Sequence, residues 1–270
     1  IKAFYVLYYK ELILANLITF IAFILKAYRW KLVVDNLINK KIDFLRFMYL
    51  SALGSLINSV GLSIFISDGI KSGILSFGDL KSESNINKIK GIVSSYGDRI
   101  LGMIAANILF IILIFLNYTF NYSSFFLVYH KFYKNLILIF VVIVIVSIFL
   151  IFLAIKYLNT KIVFFSVLIS FISHLLDTFS MYLVFSIVLK QVVSFYIWVL
   201  AYLLGSVFSV FSVFAGLGAR TIGLSYIIND LKNSFYIDVF YYLFQIFNSL
   251  MALVIFFLTW FINSFLKKRI

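Results

Sequence analysis

The chain contains neither proline nor cysteine. Without cysteine there is no disulfide, no thiolate metal site and no thiol nucleophile. Without proline, glycine is the one strong backbone breaker left to the sequence. Charge is scarce as well: 12% of the residues are Asp, Glu, Lys or Arg, where soluble domains carry about 25%. What fills the space is apolar, since 64% of the chain is hydrophobic and its mean hydropathy is +1.11. The runs 12–27, 100–116, 136–155, 162–189 and 240–262 approach or reach the roughly 20 residues that a helix needs to cross hydrocarbon. Nothing alternates with the two-residue period of a membrane barrel. The expectation is an all-α, polytopic transmembrane bundle forming one domain over residues 1–270. Because the chain opens without methionine, an earlier helix is expected to precede it.

The formal charge of +13 does not point to nucleic acid. The lysines sit near the ends of apolar runs, where basic residues set membrane orientation. Residues 79–98 form the longest polar stretch and read either as an amphipathic surface segment resting on anionic headgroups or as a solvated linker. The aromatic stretch 118–133 reads as an interfacial belt. No phosphate-binding loop, no histidine-rich metal spacing and no Gly-x-Ser-x-Gly elbow is present. Neither a catalytic residue nor a cofactor or metal is therefore assigned.

Glycine is unevenly spread. Eight of the twelve glycines lie between Gly54 and Gly102 and four between Gly205 and Gly223. These Gly-rich regions, 52–102 and 205–223, are expected to hold two broken or re-entrant helices. In the first, Gly54, Asn58 and Gly61 interrupt what could otherwise be one crossing helix, 44–66. One reading is a plain helix with small residues at a packing face. The other is a hairpin whose ends face a polar cavity, since irregular backbone at membrane depth survives only when buried in protein or facing water. The division of Lys and Arg between the two membrane faces is more lopsided if this segment re-enters and 217–231 also does not cross, as the positive-inside rule prefers. The terminal Lys267-Lys268-Arg269 would then fall on the less basic face.

Arginine is rare, with five residues against eighteen lysines, so its positions carry information. Arg29 precedes Trp30 and reads as an interfacial anchor. Arg99 follows Asp98, and the two could neutralise each other. Arg220 stands in "AGLGARTIGL" (215–224) between apolar runs. A cation at the bilayer centre costs about 2.5–3.5 kcal/mol on insertion scales and so faces a cavity or a partner. Its planar fork also matches phosphate. In the run 162–189, Ser166, Ser170, Ser173, His174, Asp177 and Ser180 recur every three to four residues and share one helical face. His174 and Asp177 at i and i+3 form an intramembrane polar pair, either joining two helices or acting on a proton or headgroup.

Four blocks carry a resemblance: "KAYRWKLVV" (26–34), "ALGSLINSVGLSIFISDGIKSGIL" (52–75), "SSYGDRILGM" (94–103) and "FSVFAGLGARTIGLSYI" (211–227). In this order they resemble the transmembrane, flippase-like domain of phosphatidylglycerol lysyltransferases and its stand-alone relatives. Asp68 and Lys71 stand where that family commonly has an acidic residue and an arginine. Phe211, Ala215 and Thr221 replace the proline, first glycine and glutamate of its last motif. Nothing in the 270 residues resembles the family's soluble aminoacyltransferase domain, so this stretch is not expected to make an aminoacyl lipid. The resemblance implies a phospholipid or an aminoacyl or glyco-lipid moving across a bacterial inner membrane. Its headgroup candidates are Arg220, Gly216, Gly218, Asn58, Asp68, Lys71, Asp98 and Arg99. Expected partners are membrane phospholipids and a separate lipid-modifying transferase. Two other functions stay open: a membrane accessory subunit or enzyme of lipid-linked sugar or aminoacyl-lipid synthesis, and an ion-coupled solute transporter using His174 and Asp177.

Overall fold

The computed structural model describes residues 2–59, 64–120, 154–189 and 231–267, with residues 145, 148, 149, 151, 152, 199, 202, 221 and 225. Every described element is helical. They are α1 (Lys2–Ile38), α2 (Phe44–Ser59), α3 (Ile64–Ile74), a single π turn (Leu75–Asp79), α4 (Asn85–Phe120), α5 (Thr160–Leu189) and α6 (Leu231–Lys267). Four segments, Tyr9–Ile38, Asn85–Ile112, Thr160–Ile187 and Lys232–Ser264, are long and apolar enough to cross a membrane. The protein is an all-α membrane helix bundle.

Short polar residues set the helix ends. Asp43 Oδ1 accepts from the Leu45 amide at 3.4 Å, Ser84 Oγ from Asn87 at 3.3 Å and Asn159 Oδ1 from Lys161 at 2.9 Å. Each satisfies an amide that the first helical turn leaves without a carbonyl. α1 stops at Asn39, whose φ of 56° is a left-handed conformation that asparagine tolerates. These caps redraw two expectations. The apolar run 12–27 is only the middle of α1, which continues through Arg29, Lys31 and Asp35 to Ile38. The polar stretch 79–98 is mostly not a linker, because α4 begins at Asn85.

Cross-helix pairs fix the directions. Thr19 meets Ser180 at 2.7 Å while Arg29 meets Ser170, so α1 and α5 run antiparallel. α1 and α4 are antiparallel too, because Trp30 Nε1 donates to Ser94 Oγ at 3.1 Å whereas Leu12 and Ala15 share a cluster with Leu109 and Phe110. On α6, Tyr242 donates to the Ser59 carbonyl at 2.5 Å and Phe256 stacks on Tyr49 at 4.5 Å. α6 therefore descends beside α2 toward the end where α1 stops. α6 thus ends on the same face as α1, α3 and the starts of α2, α4 and α5, while Lys268 and Arg269 of the basic tail lie outside the described residues.

α2 and α3 form a hairpin. In a continuous helix, residues 54 and 71 would stand about 25 Å apart at 1.5 Å per residue. Instead a Cβ on Gly54 would come within 3.0 Å of Lys71 Cδ and 3.2 Å of Ser67 Oγ, and Ser67 donates to the Gly54 carbonyl at 2.5 Å. The open ends of the hairpin are tied together. Arg46 Nε lies 3.0 Å from both oxygens of Asp79, and Lys40 Nζ lies 2.9 Å from Glu83 Oε1. Neither Gly54 nor Asn58 breaks the backbone, contrary to the reading of both as interruptions and in line with the alternative of small residues at a packing face. They sit within α2, and Gly54 serves by letting α3 approach; Gly61 lies outside the described residues. Of the second Gly-rich region, 205–223, only Thr221 is described.

Candidate functional site: a polar cavity at mid-bundle

A cavity of about 250 Å³ lies among α1, the α2–α3 hairpin, α4, α5 and α6. Apolar clusters lie on either side of it along the helix axes. Leu12, Ala15, Met181, Phe185 and Ile237 belong to one cluster, beyond the outer end of the cavity. Trp30, Val34, Phe47, Leu50 and Leu75 form another toward the face where α1 stops. Lys26 sits about 18 Å from the end of α1 at 1.5 Å per residue, well inside a hydrocarbon layer of about 30 Å.

One wall is charged. Lys26 and Arg29 from α1, Lys71 from α3 and Arg99 from α4 line it, against Asp68 from α3, Asp98 from α4 and Asp177 from α5. Arg29 grips Asp98 with two bonds, Nε to Oδ1 at 2.6 Å and Nη2 to Oδ2 at 2.8 Å. Its Nη1 reaches Ser170 Oγ, which in turn donates to the Ser166 carbonyl at 2.7 Å. Asp68, 1% exposed, is shared: Lys71 Nζ stands 2.8 Å from Oδ1 and Arg99 bonds Oδ2. Lys71 also lies 4.7 Å from the centre of the Trp30 ring, a favourable cation–π position. Asp177 takes Lys26 and, at 3.0 Å, the Tyr202 hydroxyl. Four cations face three carboxylates, so the described lining carries one positive charge in excess.

The other wall is neutral. Ser51, Ser55 and Asn58 of α2 and Tyr241, Gln245 and Asn248 of α6 line it, each set at i, i+4 and i+7 and hence on one face of its helix. Asn248 is 1% exposed, yet among the described residues neither its Oδ1 nor its Nδ2 has a hydrogen-bond partner, and Asn58 Oδ1 has none either.

The cavity thus gathers Asn58, Asp68, Lys71, Asp98, Arg99 and Asp177 from three separate stretches of sequence. Asp98 and Arg99 do not neutralise each other; adjacent on α4, they point to different partners. Arg29 is no interfacial anchor: it is 7% exposed inside the bundle. His174 and Asp177 do not bond directly. His174 Nε2 donates to the Gly102 carbonyl at 3.1 Å and Nδ1 lies 3.4 Å from the Tyr202 hydroxyl, so Tyr202 joins the two residues. Arg220, Gly216 and Gly218 lie outside the described residues. Their neighbour Thr221 donates through its amide (3.1 Å) and hydroxyl (2.8 Å) to Asp238 Oδ2 on α6. Among the described residues no group of His, Asp or Glu is placed to hold a metal ion.

The sequence reading missed Lys26, the role of Arg29, and the α6 face of Asp238, Tyr241, Gln245 and Asn248. The last was readable, because polar residues recur every three to four positions within an apolar run. No protein-family model, curated protein or solved structure matches the chain, so a functional reading stands on this cavity and the motif blocks.

Proposed function

We propose that the protein binds the anionic headgroup of a phospholipid in this cavity and carries it across a bacterial inner membrane, without performing chemistry on it. The observation that supports the reading most is Asp68, one buried carboxylate held by two cations. An incoming phosphate can take over Arg99, whose side chain is 36% exposed, while Lys71 keeps Asp68 neutralised. Guanidinium presents the bidentate fork that phosphate oxygens fit. The basic face where α1 and α6 end carries Lys40, Lys41, Arg46, Lys81, Lys88 and Lys90 around the hairpin mouth. By the positive-inside rule that face is cytoplasmic.

In proteoliposomes containing a fluorescent anionic phospholipid, the parent protein moves lipid between leaflets faster than empty vesicles do. Arg99→Ala slows that movement by on the order of tenfold or more, the value of one charge-assisted hydrogen bond, and Lys232→Ala, on the exposed start of α6, leaves it unchanged. Parent protein that moves lipid no faster than empty vesicles overturns the reading. The chain from Lys26 through Asp177 and Tyr202 to His174 favours a second reading, transport driven by an ion gradient. Movement that stops when the proton gradient is collapsed supports that coupling.

A further inference from the structure

Burying an amide without partners costs free energy that a folded protein ordinarily avoids, and Asn248 holds both of its amide atoms in that state at 1% exposure. Asn58 adds a third unpartnered atom. α2 and α6 bring the two residues to one place: Tyr242, three positions before Gln245, bonds the carbonyl of Ser59, next to Asn58. All three amide side chains line the cavity that the four cations line.

The chemistry of these groups selects a ligand. An asparagine amide offers both an acceptor and a donor. A hydroxyl can satisfy both at once, because it donates and accepts. An ammonium only donates, so it would leave the Asn248 Nδ2 unpaired. It would also add positive charge to a lining that already carries one positive charge in excess among the described residues. A phosphodiester bearing neutral hydroxyls brings one negative charge for that excess and hydroxyl groups for the amides.

Building on the headgroup reading above, we propose that Asn58, Gln245 and Asn248 form a hydroxyl-recognition subsite and that the carried headgroup is a monoanionic phosphodiester with a neutral, hydroxyl-bearing substituent. The charged wall holds the phosphate and the neutral wall reads the substituent. A zwitterionic amine headgroup is rejected.

The test compares two fluorescent lipids, phosphatidylglycerol and phosphatidylethanolamine, at equal density in vesicles containing the parent protein. Phosphatidylglycerol moves faster by roughly fivefold or more, the discrimination expected for one net hydrogen bond. Asn248→Leu brings the ratio toward one, and Asn58→Leu does the same independently should the first variant fold poorly. Arg99→Ala slows both lipids and keeps the ratio. Equal movement of the two lipids by the parent, or an unchanged ratio in both leucine variants, overturns the subsite while leaving lipid transport standing. A third arm supplies water-soluble glycerophosphoglycerol. Its uptake without any movement of lipid sustains hydroxyl recognition and overturns the lipid reading.

Discussion

The two walls of the cavity obey opposite rules. On the charged wall every carboxylate is paired with a cation: Asp98 with Arg29, Asp68 with Lys71 and Arg99, Asp177 with Lys26. Asp177 also accepts from Tyr202, although its Oδ1 itself accepts no hydrogen bond among the described residues. On the neutral wall Asn58 Oδ1 and both amide atoms of Asn248 have no hydrogen-bond partner among the described residues. A buried charge without a partner is too costly to keep, so the charged wall must be complete before a ligand arrives. An unpaired amide costs less and can be tolerated until the ligand supplies its hydrogen bonds. The first wall is therefore part of the fold as well as of the site, and the second belongs to the site alone.

The largest effect follows from breaking the complete wall. Arg29 and Asp98 each have side chains only 8% exposed, and removing one partner of a buried pair leaves the other charge stranded. Arg29→Ala is expected to destabilise the protein by about 3–5 kcal/mol, read as a large fall in thermal midpoint in detergent. Arg29→Asn with Asp98→Asn removes both charges together and should recover much of that loss. A single variant as stable as the parent would show that Asp98 is hydrated and that the charged wall is not structural.

The same contrast explains what could be read from the sequence. The bundle class was legible because it depends on composition and on the length of apolar runs, which are local quantities. That 44–66 is not one continuous crossing helix was legible as one of two readings of its small and polar residues, although Gly61 lies outside the described residues. The polar face of α5 was legible from spacing. The burial of Arg29 was not, because its partners Asp98 and Ser170 lie 69 and 141 residues away. Locally, "RW" after an apolar run looks like an interfacial anchor. The polar face of α6 that ends in Asn248 was readable from spacing too, but its meaning was not, because that comes from α2 packing opposite it. Gly54 shows the limit from the other side. The sequence marks a backbone need there, but only the distance to Lys71 shows that the need is close approach and not a break.

A smaller effect of opposite sign is expected on the neutral wall. Replacing an unpaired buried polar group by an apolar one removes its desolvation cost and gives up no bond inside the protein. Asn248→Leu should raise stability by about 1 kcal/mol, measured by thermal or denaturant unfolding in the same detergent, even as it erases headgroup preference. Stability gained where function is lost marks a residue kept for its ligand. If Asn248→Leu destabilises the protein as Arg29→Ala does, the two walls follow one rule and the comparison fails.

The smallest effect belongs outside both walls, where the hairpin mouth is tied by Lys40 and Glu83. Their side chains are 40% and 28% exposed, and exposed pairs contribute little and are screened by salt. Hydrogen bonds from Lys40 and Asn87, with the Lys40 charge, hold the Glu83 carboxyl below its ordinary range. A carboxylate with a depressed folded pKa contributes stability that is fully present above its unfolded value, about 4.3. That contribution is lost as pH falls through the folded value. Lys40→Ala should therefore leave stability nearly unchanged at neutral pH, with the slight parent advantage vanishing on acidification below about pH 4 and at high salt. The pair matters more as a ruler. It places residues 40 and 83 side by side, so cysteines introduced singly as Lys40→Cys and Asn85→Cys should be labelled by an impermeant reagent from the same side of the membrane. Both substitutions sit at the surface and should disturb neither wall. Labelling from opposite sides would mean that α2 and α3 cross the membrane as one span, which would take Asn58 away from Gln245 and dismantle the neutral wall altogether.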